Sequence, residues 1–162
     1  MKEDKPTRKP YRLREFDYSS PGAYFITICT KNKEHLFWSK NVGASIARPQ
    51  KPELSPWGRV VEEAICEIPA RYPAISLDNY AVMPNHIHLL LRISADAGGR
   101  AMLAPTVSTV VQQMKGAVSK KLGCSVWQKL FNDHVIRSQR DYDEIWSYIE
   151  NNPLKWENDC YY

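Results

Sequence analysis

Two of the chain's four histidines stand together in Met83-Pro84-Asn85-His86-Ile87-His88-Leu89-Leu90-Leu91. Read as a strand, this stretch puts alternate side chains on one face, so His86 and His88 project the same way, roughly 6–7 Å apart along the backbone. Two imidazoles at that spacing can converge on one cation, and imidazole is the commonest side-chain metal ligand. Ile87, Leu89, Leu91 and Ile93 then form an apolar face on the other side. Near the end of the chain, Tyr148 and Asn152 are four residues apart and share a helical face. They border the apolar stripe of Ile145 and Ile149. Asn152 offers an amide oxygen as a third ligand, which leaves Tyr148 one turn away from the ion. Each residue alone has a plainer reading: a satisfied structural histidine, one of nine tyrosines in a core, an amide ending a helix ahead of Pro153.

The elements that must position these groups can be read along the chain. Residues 1–21 form a basic N-terminal arm that ends at the turn Ser20-Pro21-Gly22, and residues 22–162 form a single domain. Ala23 to Thr30 is rich in β-branched and aromatic residues and predicts a strand. The region Ser39–Pro56 reads as a loop. Trp57, Val60, Val61, Ala64, Ile65 and Ile68 recur at helical spacing, predicting one helix from Trp57 to about Tyr72. Ile75–Met83 and His86–Ile93 read as a hairpin around Pro84-Asn85. Val107, Val110, Val111, Met114 and Val118 mark a second amphipathic helix. A further strand falls within Val126–Arg137, and a last helix starts at Asp141, with Tyr142, Ile145, Trp146 and Ile149 on one side. Leaving aside the last helix, the order is that of an α+β, ferredoxin-like fold: an antiparallel sheet with helices packed on it.

Composition bounds the class. Of 162 residues, 43% are apolar and 25% charged, which excludes a disordered or collagen-like chain. No apolar run is long enough to span a bilayer, and the opening MKEDKPTRKPYRLREF has no apolar core segment. Cys29, Cys66, Cys124 and Cys160 show no metal spacing and read as reduced thiols. A cytoplasmic protein with no membrane partner is expected. Arg8, Lys9, Arg12 and Arg14 lie within residues 1–14 of the arm, which carry the whole net charge of +4. Lys115, Lys120 and Lys121 sit on the second amphipathic helix in a stretch without acidic residues. A basic arm and a basic helix suit phosphate backbones, because each neutralised phosphate releases counterions.

Four blocks, in order, resemble the HUH single-tyrosine transposases, and among them the REP-associated tyrosine transposases. These are Arg12-Leu13-Arg14-Glu15-Phe16-Asp17-Tyr18 with Pro21 to Thr30; Asn79 to His88; Trp127-Gln128 with Phe131 to Arg137; and Tyr148-Ile149-Glu150-Asn151-Asn152-Pro153. Lys129-Leu130 stands where that group often has smaller residues, and the Ser39–Pro56 loop is unusual for it. The resemblance implies a ferredoxin-like catalytic domain that cuts and joins single-stranded DNA. It places the metal-binding histidines at His86 and His88, the nucleophile at Tyr148 and the amide ligand at Asn152.

On that implication Tyr148 attacks a phosphodiester held by Mg²⁺ or Mn²⁺ and becomes a 5′-phosphotyrosine. The imidazoles favour Mn²⁺, cellular abundance favours Mg²⁺, and Zn²⁺ also suits nitrogen ligands. The implied partner is hairpin-forming, palindromic repeat DNA, which would bring the protein to the nucleoid; monomer and homodimer both stay open. Asp133 and His134 are further site-supporting candidates, or else a structural Asp–His pair. A non-catalytic hairpin-binding relative and a phosphoesterase with a water nucleophile are the competing readings.

Overall fold

In a computed structural model, which describes residues 16–39, 52–95 and 105–158, the expected elements appear with adjusted ends. They are β1 (Gly22–Cys29), α1 (Pro56–Cys66), α2 (Ile68–Arg71), β2 (Ile75–Val82), β3 (His86–Ile93), α3 (Val107–Leu122), β4 (Asn132–Ile136) and α4 (Gln139–Asn151), followed by 3-10 turns over Asn152–Asn158. The strands form one antiparallel sheet in the order β2-β3-β1-β4. This is the ferredoxin-like α+β arrangement. Among the described residues no helix is long and apolar enough to cross a membrane.

Strand alternation sorts the side chains into two layers. Tyr24, Ile26 and Ile28 of β1 and Ile87, Leu89, Leu91 and Ile93 of β3 are buried in one core with residues of α1 and α3. The opposite face carries Phe25 and Leu90, and α4 closes over it through Ile149, with Tyr142, Ile145 and Trp146 at the margin. The sheet is therefore covered on both sides, and the histidines lie on the α4 side.

Local chemistry sets the element ends. Ser55 caps α1 by accepting from the Gly58 amide at 3.0 Å, Thr106 caps α3, and Ser138 caps α4 through the Asp141 amide at 3.1 Å. Gly58 is required where it stands: a Cβ there would come within 2.1 Å of the Phe37 carbonyl oxygen. The single helix expected over Trp57–Tyr72 is broken into α1 and α2, because Pro69 has no amide hydrogen to continue the ladder. In β2 a bulge at Asp78 interrupts the register between Leu77 and Asn79. The Asp78 carboxylate accepts from the Tyr142 hydroxyl at 2.8 Å and from Arg92 Nε at 2.9 Å, tying the first half of α4 to the sheet.

The segment from Phe16 to Pro21, read above as the end of the arm, packs on the domain. Phe16 and Tyr18 meet edge to face at 5.2 Å and both rings lie against Tyr24, whose hydroxyl donates to the Ser20 carbonyl at 2.6 Å. Arg8, Lys9, Arg12, Arg14 and most of the Ser39–Pro56 loop lie outside the described residues.

Candidate active site

The turn before β3 is held from behind. The Pro84 carbonyl accepts from the Leu36 and Phe37 amides at 2.8 and 3.1 Å, and the Asn85 carbonyl accepts from the Thr30 amide at 2.8 Å. This anchoring delivers His86 and His88, both fully buried, to the α4 face. Their Nε2 atoms are 3.0 Å apart, and the Asn152 amide nitrogen position lies 2.9 Å from His88 Nε2. Asn152 is buried at the end of α4, and its backbone amide donates to the Tyr148 carbonyl. The Tyr148 ring stands 5.2 Å from the His88 ring, centroid to centroid, and is 38% exposed. The four residues singled out in the sequence thus meet in one place within one chain.

The outer ring nitrogens have dedicated partners. His86 Nδ1 is 2.7 Å from Asn85 Oδ1, which only accepts, so the ring carries its proton there and presents a lone pair at Nε2. His88 Nδ1 is 2.9 Å from the Thr27 hydroxyl, which can either donate or accept. Burial, reinforced by the neighbouring His86 imidazole, holds His88 well below the ordinary imidazole range, so its ring is neutral. With a proton on His88 Nε2 the two rings share one hydrogen bond. With that proton gone, two lone pairs face each other across 3.0 Å and call for a cation between them.

The donor set fits such an ion. Adjacent ligands of an octahedral Mg²⁺, at ~2.1 Å each, lie about 3.0 Å apart, and the observed spacings are 3.0 and 2.9 Å. Turning the Asn152 amide to present its oxygen completes three donors on one side. Among the described residues no three His, Cys, Asp or Glu side chains form a metal-holding group, and the side chain that stands beside the two imidazoles is this amide.

Four neighbours escaped the sequence reading. Phe25 packs against both the His88 ring (5.2 Å) and the Tyr148 ring (6.0 Å), and Trp156 lies 5.8 Å from the His86 ring. Thr27 and Asn85, buried and hydrogen-bonded to the two imidazoles, complete the set. The strand pairing Thr27↔His88 explains Thr27, but no single-strand pattern reveals which residues will lie opposite. For Asn85 the available signal is its place directly before His86, which brings its amide within reach of that ring.

The other candidates are more dispersed. Asp133 and His134 point to opposite faces, being consecutive in β4, and so form no pair. His134 is instead 2.8 Å from Asp141 on α4, while one buried oxygen of Asp133 has no hydrogen bond. Lys121 reaches Glu63 at 3.3 Å and Glu67 at 3.9 Å. The Lys115 ammonium donates to the carbonyls of Gln128 and Lys129 at 2.6 and 3.2 Å, and burial lowers its pKa. Lys120 is exposed on α3.

No protein-family model matches the chain. An uncharacterised protein of Haemophilus influenzae is 33% identical over 96% of this chain and 93% of its own length. A second Haemophilus influenzae protein, provisionally named a REP-associated tyrosine transposase, is 24% identical over 86% of this chain and 74% of its own. Among solved structures, a REP-associated tyrosine transposase bound to a REP hairpin superposes with a TM-score of 0.61 at 20% identity, over 90% of this chain and 73% of that one, a likeness of fold. The chain belongs to one family with the uncharacterised Haemophilus influenzae protein, and it is similar to the one provisionally named a REP-associated tyrosine transposase.

Proposed function

We propose that this protein is a metal-dependent transposase that cuts and rejoins single-stranded DNA beside a hairpin, through a covalent bond to Tyr148. The observation that carries the reading is the convergence of His86, His88, the Asn152 amide and the Tyr148 ring in one chain. Names support it as well: one relative is named a REP-associated tyrosine transposase, and the solved protein of like fold was bound to a REP hairpin.

The residues have distinct tasks. His86, His88 and Asn152 would hold Mg²⁺ or Mn²⁺. Such an ion supplies Lewis-acid neutralisation of the charge that builds on the phosphate oxygens. A phenol with an ordinary pKa near ~10 is a weak nucleophile at neutral pH, so positioning matters most for Tyr148. Phe25 and His88 flank its ring and leave the side chain open to a strand from solvent. In the step itself the Tyr148 oxygen bonds to phosphorus and the bond from phosphorus to the 3′ oxygen breaks. The phenolic proton is lost and the leaving oxygen gains one, giving a 5′-phosphotyrosine and a free 3′-hydroxyl. The phosphoester bond is conserved, so a 3′-hydroxyl can reverse the step without ATP.

All four groups come from one protomer, which supports a site complete in the monomer. The test is to incubate the protein with a labelled hairpin oligonucleotide carrying single-stranded flanks, with Mn²⁺, and to resolve products under denaturing conditions. A protein-linked label that disappears in Tyr148→Phe is expected. Cleavage without a linked species would point to a water nucleophile, and binding without cleavage to a non-catalytic hairpin binder; either overturns the reading.

A further inference from the structure

Resting on the cleavage reading above, we infer that the groove beside Thr27 seats the single-stranded DNA leading to the scissile phosphate, with Lys33 and Lys129 on its phosphates and Leu130 against a base. The groove, of about 320 Å³, is lined by Thr27, Cys29, Lys33, Lys129, Leu130 and Asn132, among others, and by no Asp or Glu. Thr27 is common to the groove and the site, since its hydroxyl is the partner of His88. A strand lying in the groove is therefore next to the imidazoles.

Charge selects the occupant. Lys33 and Lys129 are both exposed, and among the described residues neither ammonium makes an ion pair. The larger cleft on the far side of α4, about 450 Å³, is lined by Glu62 and Glu150 together with apolar residues, a setting that repels a polyanion. Leu130 is 57% exposed in the basic groove. Cationic side chains that track a backbone, with apolar surface offered to bases, are the general means of holding a single strand.

The groove is also built rather than incidental. Asn32 and Lys33 both hold left-handed backbone angles, φ 56° and 55°, which asparagine tolerates but lysine adopts uncommonly. The Lys33 carbonyl accepts from Asn85 Nδ2 at 3.5 Å, and the same Asn85 side chain accepts from His86. The turn that carries Lys33 is thus joined to a proposed ligand of the ion. On the opposite wall, the Lys115 ammonium braces the Gln128 and Lys129 carbonyls, which makes Lys115 a shaper of the groove.

The test measures binding of the full chain, by fluorescence anisotropy, to a DNA hairpin with a single-stranded tail and to the same hairpin without one. The variant is Lys33→Asn with Lys129→Gln, because asparagine tolerates the left-handed angle; Lys129→Gln alone, outside that turn, guards against misfolding. For the tailed hairpin, the salt dependence of log K is expected to weaken by about 1.4 in the double variant, about 0.7 per phosphate lost. Between roughly 50 and 200 mM salt, wild-type affinity should then fall about sevenfold more than the variant's. Binding of the tailless hairpin should not change. Equal losses on both hairpins, or no loss on the tailed one, would overturn the groove. Covalent adduct in the wild type without tail-dependent loss sinks the groove alone. Tail-dependent loss without any adduct sinks the cleavage reading and leaves the groove standing.

Discussion

The two faces of β1 and β3 are built from the same strands and do opposite work. On one, Tyr24, Ile26, Ile28, Ile87, Leu89 and Leu91 are sealed under α1 and α3. On the other, Phe25, Thr27, His86 and His88 meet α4, and every imidazole nitrogen has a polar neighbour. A period of two residues is what keeps these tasks apart. A change on one face should alter stability and a change on the other should alter ion binding, with little leakage between them.

The strongest way to break this comparison is Leu89→Ala. Leu89 is fully buried, and emptying such a site costs about 2–5 kcal/mol. Urea unfolding should show that loss while Mn²⁺ affinity, measured well below the melting temperature, stays at the wild-type value. Coupled loss of both would mean that the faces are not independent.

A smaller effect is expected from Thr27→Val on the other face. Valine keeps the shape but removes the acceptor that the ion-binding tautomer of His88 needs at Nδ1. Removing such a supporting partner typically weakens metal binding by about 10–100-fold. Calorimetric Mn²⁺ titration would read it, and an unchanged affinity would refute the tautomer argument.

The smallest effect is a pH dependence of the metal-free protein. Burial depresses the folded pKa of His88 below the ordinary imidazole value of ~6.5. Below that value the unfolded chain binds the proton that the folded chain refuses, so stability is full above about 6.5 and declines as pH falls. Urea midpoints with a chelator present, at roughly pH 7.5 and 5.5 on either side of that value, should show this decline, and His88→Leu should reduce it. A flat wild-type profile would contradict it.

Much of this architecture is legible in the residues, and the exceptions have physical causes. The alternation of Ile87, Leu89, Leu91 and Ile93 with the histidines identifies β3 and its packing face. The i, i+4 spacing of Tyr148 and Asn152 likewise holds in α4. Pro69 was an available sign of the helix break, outweighed by an apolar periodicity that runs through it. The same period of two that identifies β3 also separates Asp133 from His134. Thr27, Phe25 and Trp156 could not be assigned to the site in advance, because cross-strand register and the path after α4 arise from tertiary packing.

The bulge at Asp78 has a consequence for the tyrosine. One carboxylate grips both Tyr142 and Arg92, so α4 is held near its start as well as at buried Ile149 and Asn152 near its end, with the Tyr148 ring beside the second anchorage. Six residues of helix separate Tyr142 from Tyr148, a lever arm of about 9 Å. Over that span a tilt of about 6° at Tyr142 would carry Tyr148 roughly 1 Å, a movement that the second anchorage opposes. The orientation of the Tyr148 ring is therefore set from both ends of its helix, one of them an edge strand nearly two turns away.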